Sequence, residues 1–64
     1  MFEQSTPSVR IYEIRLIGTN GKTLLFATAS ATVQEAVEYA KGLMLRHECD
    51  SGEVWCGVQL IRQL

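Results

Sequence analysis

The chain has 64 residues, a formal net charge of −1 and an apolar fraction of 47%, which is typical of one small domain with a packed core. Its six basic residues are scattered, and this disfavours nucleic-acid binding, which needs lysines and arginines converging on phosphates. No apolar run reaches the roughly 18 residues of a membrane span and no signal-peptide pattern is present, so we expect a cytoplasmic protein with no membrane contact. Residues 1–8 are polar and contain the only proline; they predict a flexible leader before a single α+β domain over residues 9–64.

The first half of the domain predicts a β-hairpin. Residues 9–17 and 22–29 are both β-like, and the first segment is rich in β-branched side chains. Between them lie Asn20 and Gly21, a pair that suits positive φ and is a strong hairpin-turn signal. The Gly-Lys-Thr run at 21–23 lacks the spacing of a phosphate-binding loop and precedes a strand, so the hairpin interpretation is favoured.

A helix is predicted to follow. Thr32 and Glu35 have the spacing of a capping box, which marks a helix start. From there apolar residues recur at helical spacing and predict one buried stripe, formed by Val33, Ala36, Val37, Ala40, Leu43 and Met44. We expect the helix to end near Glu48, before a turn at 50–52.

The C-terminal segment, residues 53–63, is β-like again and is interrupted by Gly57. It fits either one kinked or bulged strand or two short strands turning at 56–58; one strand is favoured, because no Asn-Gly pair marks a second turn. The fold class is therefore α+β, with the order ββαβ or, with the second turn, ββαββ. We expect an antiparallel sheet with the strand order 2-1-3, covered on one face by the helix.

Strand periodicity divides the side chains between two faces of this sheet. The face against the helix is predicted to carry Tyr12, Ile14, Leu16, Leu24, Phe26, Val54, Cys56, Val58 and Leu60. The other face would carry Val9, Ile11, Ile17, Leu25, Ala27, Trp55 and Ile61, with Glu13, Arg15 and Gln59 among them. Because one helix covers only one face, the second face is predicted to be an exposed apolar patch, which usually marks an interaction surface. We expect self-association or a protein partner through that face or through a sheet edge. Scattered apolar residues are also ordinary surface, but two large side chains on one strand favour interaction. The interaction-surface candidates are Ile11, Leu25, Trp55 and Ile61.

No group of residues predicts catalysis, a cofactor or a metal. His47, Cys49, Asp50 and Cys56 are close in sequence but lack the paired spacing of a metal site. His47 and Cys49 are two positions apart on the predicted helix, so their side chains diverge and do not form a nucleophile–base pair. A disulfide between Cys49 and Cys56 fits across the predicted turn, although a reducing cytoplasm disfavours it. We therefore expect no catalytic, cofactor-binding or metal-binding residues, and an enzyme is the least favoured class.

The order of elements resembles a group of small uncharacterised proteobacterial proteins. The resemblance covers residues 9–62 and is carried by Asn20-Gly21-Lys22, by the capped helix and by Glu53-Val54-Trp55. It implies a strand–turn–strand–helix–strand plan, with no established activity and no functional residues to carry over. In size and charge alone the chain is also similar to phage-encoded anti-CRISPR proteins.

The sequence therefore predicts a non-enzymatic domain that acts by protein–protein contact or homodimerisation through the uncovered sheet face. One alternative is a phage- or host-directed inhibitor that binds a larger complex. A second alternative is a nucleic-acid accessory protein, since exposed sheet aromatics can stack bases. That alternative is disfavoured by the charge balance and by the assignment of Tyr12 and Phe26 to the covered face.

Overall fold

The structure, a computed structural model, describes residues 8–64, so the predicted leader lies outside the described residues apart from Ser8. Five elements follow one another: β1 (Arg10–Gly18), β2 (Thr23–Ser30), α1 (Val33–Arg46), β3 (Cys49–Cys56) and β4 (Gln59–Gln63). Neighbouring strands are antiparallel throughout, and the sheet has the order β2-β1-β3-β4. The α+β class and the 2-1-3 order of the first three strands are therefore confirmed.

The turn between β1 and β2 is a three-residue loop that ends in a left-handed glycine. Gly21 has φ +83°, and its N–H donates to the Gly18 carbonyl at 2.9 Å. The Gly18 N–H in turn donates to the carbonyl of Lys22 at 2.8 Å. A type I turn followed by a glycine with positive φ is a common hairpin loop of this length. Asn20 contributes through its side chain instead, since its Oδ1 accepts a bond from the Lys22 N–H at 3.0 Å.

The helix begins where the capping pattern predicts. Thr32 is the N-cap, and its Oγ1 accepts a hydrogen bond from the Glu35 N–H at 3.1 Å. The Glu35 carboxylate reaches back to the Ala31 N–H at 3.0 Å, one residue before the cap. At the other end, α1 stops at Arg46, two residues before the predicted end near Glu48. Glu48 has φ +53°, a left-handed conformation that does not continue a helix.

One hydrophobic core joins the helix to the sheet. The buried apolar residues are Tyr12, Ile14 and Leu16 of β1, Ala36, Val37, Ala40 and Leu43 of α1, and Val54 of β3. Residues at every second position of β1 and at helical spacing in α1 thus meet in a single cluster, as the two periodicities predict. Leu24 and Phe26 of β2 are partly buried against the same cluster.

The C-terminal segment is a hairpin and not the favoured single strand. Cys56 of β3 pairs with Gln59 of β4, which leaves Gly57 and Val58 as a two-residue loop. Gly57 has φ +63°, and a glycine with positive φ at the first position of such a loop is the signature of a type II′ turn. The strand direction therefore reverses at Gly57, and the predicted faces of the last residues change with it.

Four residues of this segment lie elsewhere than predicted. Gln59 pairs with Cys56 and so lies on the face of Val54, although the sequence placed it on the uncovered face. Val58 is exposed in the turn and not in the core. Leu60 pairs with Trp55 and so lies on the opposite face from Val54. Ile61 falls at a register shift between these two pairs and packs against the core cluster, although the sequence placed it on the uncovered face. The extra residue of a β-bulge breaks the alternation and accounts for this change.

The start of β3 also differs from prediction. The residues expected to form a turn, 50–52, lie inside β3, and the chain leaves the helix through His47 and Glu48. Cys49 and Cys56 stand at the two ends of β3 and are both free thiols. Seven residue steps of strand separate their Cα atoms by about 23 Å, far beyond the reach of about 7 Å of a disulfide. The Cys49–Cys56 disulfide was geometrically possible only with the predicted turn at 50–52, which the structure replaces by strand β3.

Candidate interaction surface

The side chains that alternate with the buried ones define what we call the exposed face. It includes Ile11, Glu13, Arg15 and Ile17 of β1, Leu25 and Ala27 of β2, Glu53 and Trp55 of β3, and Leu60 of β4. The strand register places Arg15 between Leu25 and Glu53, and Glu13 between Ala27 and Trp55. Apolar residues therefore border a polar and aromatic centre on the β2 side.

The centre of the exposed face is a network of four side chains from β1 and β3. The guanidinium carbon of Arg15 lies 4.4 Å from the centroid of the Trp55 ring, a cation–π contact. The same guanidinium pairs with the Glu13 carboxylate at 3.0 Å. The indole N–H of Trp55 donates to the Glu53 carboxylate at 2.9 Å. The guanidinium is thus paired with one carboxylate and the indole N–H with the other, and one face of the indole ring is occupied by Arg15.

Large apolar side chains surround this network. Ile11 is 63% exposed and Leu25 is 65% exposed, although both belong to paired strands. Leu60 is 39% exposed at the β4 side of the face. The helix residues of the core cluster pack with Tyr12, Ile14 and Leu16, which alternate with the exposed-face positions of β1.

The structure brings together three of the four residues that the sequence predicts for the interaction surface. Ile11, Leu25 and Trp55 lie on the exposed face, and Trp55 is half-buried by its contacts with Arg15 and Glu53. Ile61 lies on the core side. The sequence prediction placed Leu60 on the covered face. It placed Glu13 and Arg15 on the uncovered face, but it counted neither of them, nor Glu53, among the interaction-surface candidates. The spacing Glu-x-Arg at 13–15 and Glu-x-Trp at 53–55 was the available signal, since alternate residues of a strand share a face.

The residues that could act in catalysis or bind a metal are dispersed around the fold. His47 packs its ring against Phe26 with centroids 5.3 Å apart, and the Cys49 thiol contacts the His47 carbonyl at 3.7 Å. Cys56 lies at the far end of β3. Across residues 8–64, no three His, Cys, Asp or Glu side chains come close enough together to hold a metal ion.

A depression of about 330 Å³ opens at the end of the exposed face where β4 stops. Its lining consists of Arg15, Ile17, Ser51, Gly52, Glu53, Gln63 and Leu64. The side chains offer one guanidinium, one carboxylate, one carboxamide and one hydroxyl, with neither His nor Cys to act as a base or a nucleophile beside Ser51. The depression extends the contact surface and contains no nucleophile–base pair.

Comparison with known proteins gives the chain no relatives: no protein-family model, no curated protein and no solved structure matches it. Within residues 8–64, no helix combines the length and the apolarity that a membrane crossing requires.

Proposed function

We propose that this chain is a non-enzymatic domain that acts by protein–protein contact through the exposed face, with self-association as the form to test first. The observation that carries the proposal is the exposure of Ile11 and Leu25, 63% and 65%, within paired strands. In this proposal α1 covers the face that carries Ile14, and the chain has no second helix among residues 8–64 to cover the other. Large apolar side chains left exposed on one face of a sheet favour an interaction site there.

The chemistry of the exposed face supports the same proposal. Protein interfaces are enriched in tryptophan and arginine, and strong contact sites combine such an anchor with surrounding apolar area. Here Arg15 and Trp55 are already held in one geometry by Glu13 and Glu53, so little side-chain freedom would be lost when a partner binds. Lysine is absent from the exposed face, and its two acidic residues both contact members of the network.

Light scattering coupled to size-exclusion chromatography tests the proposal over a range of protein concentrations. We expect the wild-type chain to form a dimer whose population rises with concentration. The double variant Ile11→Ser/Leu25→Ser removes both apolar side chains and should shift the chain to the monomer. The matched control is Leu45→Ser, because Leu45 is 84% exposed on α1, away from the exposed face, and should leave the dimer unchanged.

Two results would contradict the proposal. One is a wild-type chain that remains a strict monomer at high concentration. The other is a double variant that dimerises as well as the wild type while far-UV circular dichroism shows that both are folded.

A further inference from the structure

The β2 edge of the sheet is open and carries none of the usual features that prevent strands from pairing. β2 bonds only to β1, so its other side has no strand beside it within residues 8–64. Its sequence, TLLFATAS, contains no charged residue and no proline, and its eight pairs with β1 run without a register shift. A long, regular, uncharged edge strand is a template for another strand.

By contrast, the opposite edge of the sheet, formed by β4, is protected against pairing with another strand. β4 has five residues, includes the charged Arg62, and carries a register shift between its pairs with Val54 and Trp55. Short length, charge and a bulge are the devices that discourage edge pairing. The two edges of one sheet therefore differ, and β2 is the one available for pairing.

The register of the first hairpin fixes which backbone groups point outward from β2. The Gly18 N–H bonds the Lys22 carbonyl, so Lys22 belongs to a hydrogen-bonded pair. Along an antiparallel strand, the N–H and C=O groups of successive residues point alternately to the two neighbouring strands. Those of Lys22 and of every second residue after it therefore point toward β1. The residues between them turn their N–H and C=O groups outward: Thr23, Leu25, Ala27 and Ala29.

We infer that a second copy of this chain pairs with this edge, β2 against β2, antiparallel about a two-fold axis at Phe26. The inference rests on the self-association in the proposed function alone; it places the contact at the β2 edge, whereas the proposed function places it on the exposed face. This register sets Leu25 opposite Ala27 of the second copy and Thr23 opposite Ala29, so all outward backbone groups of β2 gain partners. It joins two sheets of the order β2-β1-β3-β4 into one continuous sheet.

Charge explains why the partner is a second copy of the same chain. In a two-fold pairing each strand meets itself, so any charge near the axis would lie close to its own copy, and like charges across strands are unfavourable. β2 carries no such charge. At its ends the charges are complementary: Lys22 precedes β2, and the Glu35 carboxylate is held at Ala31, which follows it. Antiparallel pairing brings Lys22 of one copy beside that end of the other.

A proline at position 27 tests the edge pairing, because it removes a backbone N–H without removing an apolar side chain. Ala27→Pro deletes an outward N–H, which an edge strand tolerates because the bond to β1 is not involved. Ala27→Val is the matched control, with similar bulk and an intact N–H. We expect the proline variant to raise the dimer dissociation constant at least about tenfold, since two symmetric bonds are lost and the ring blocks close approach. The valine variant should dimerise like the wild type, and circular dichroism should show that both fold.

A third variant, Ile11→Ser, separates this inference from the wider proposal. Ile11 lies on β1, one strand inside the edge, so edge pairing predicts a dimer that Ile11→Ser leaves intact. If Ile11→Ser gives a monomer while Ala27→Pro still dimerises, the exposed face is the contact surface and the edge pairing is wrong. If the wild type is a monomer, or if folded Ala27→Pro dimerises as the wild type does, the edge pairing is overturned.

Discussion

Arg15 and Trp55 lie diagonally across β1 and β3, with the guanidinium carbon 4.4 Å from the ring centroid. The direct partner of Arg15 in the register is Glu53, and that of Trp55 is Glu13, so the two acidic residues occupy the other diagonal. Each acidic residue bonds the member of the Arg15–Trp55 pair on its own strand. The four side chains thus hold one another in place on an otherwise open sheet.

Replacing Arg15 by alanine should expose the indole ring and lower the free energy of unfolding by about 0.5–1 kcal/mol, the range of a surface cation–π contact. Trp55 is the only tryptophan, so its fluorescence emission reports the change directly and should move to longer wavelength. Arg10→Ala is the control, because it removes the same charge from β1 far from Trp55. Equal emission spectra for Arg15→Ala and the wild type would argue against the stacking.

Gly52→Ala should destabilise the fold. A Cβ at residue 52 would lie 2.5 Å from Cδ2 of Leu16, a fully buried side chain, and 3.3 Å from the Arg15 carbonyl. Overpacking of this kind costs about 1–3 kcal/mol, because Leu16 must leave its position in the core. Urea denaturation should show a lower midpoint with an unchanged slope. A variant as stable as the wild type would mean that Leu16 repacks without strain.

Gly42→Ala should have the opposite effect. Gly42 lies inside α1, and a Cβ there would meet no atom within 4 Å. Alanine is better than glycine in a helix interior by about 1 kcal/mol, so we expect the free energy of unfolding to rise by that amount. Thermal unfolding followed at 222 nm measures the gain, and a loss of stability would show that the helix surface at residue 42 is not open.

Glu48→Gly should also stabilise the protein. Glu48 has φ +53°, and a left-handed conformation costs a residue with a side chain about 1–2 kcal/mol. Glycine avoids that cost but loses more freedom on folding, so we expect a net gain of about 0.5–1 kcal/mol. The Glu48 carbonyl bonds the Thr19 N–H at 3.2 Å, and this backbone contact is retained in the variant. Glu48→Ala separates conformation from charge: it should show no gain, and an equal gain from alanine would refute the backbone explanation.

Thr32→Ala should lower the free energy of unfolding by about 1 kcal/mol, because the Glu35 N–H loses the oxygen that caps it. Thr32→Ser keeps the hydroxyl and should stay close to the wild type in the same urea titration. If both variants lose stability equally, the contribution of Thr32 comes from its methyl group and not from the cap.

The local features of the fold could be predicted from the sequence because each depends on a few neighbouring residues. The cap at Thr32, the glycine of the first turn and the alternation of β1 all act over short distances. The second hairpin was the less favoured alternative because no Asn-Gly pair marks it, whereas Gly57 begins a type II′ turn with Val58, an equally local signal.

The residues of the candidate surface were predicted correctly only where side chains alternate regularly along a strand. Ile11, Leu25 and Trp55 follow it, but Ile61 falls at a bulge that only the pairing of β3 with β4 creates. The diagonal contact of Arg15 with Trp55 depends on the register between two distant strands, and periodicity within one strand says nothing about register.

The unequal edges of the sheet have a consequence for how far assembly can proceed. Two copies joined through β2 would present β4 at both outer ends, where the bulge, the short strand and Arg62 discourage a third. A two-fold contact uses the same patch on both molecules and is complete once formed. Such a chain would stop at a finite particle instead of polymerising into a fibre, even though its joining strand is as apolar and uncharged as those that form fibres.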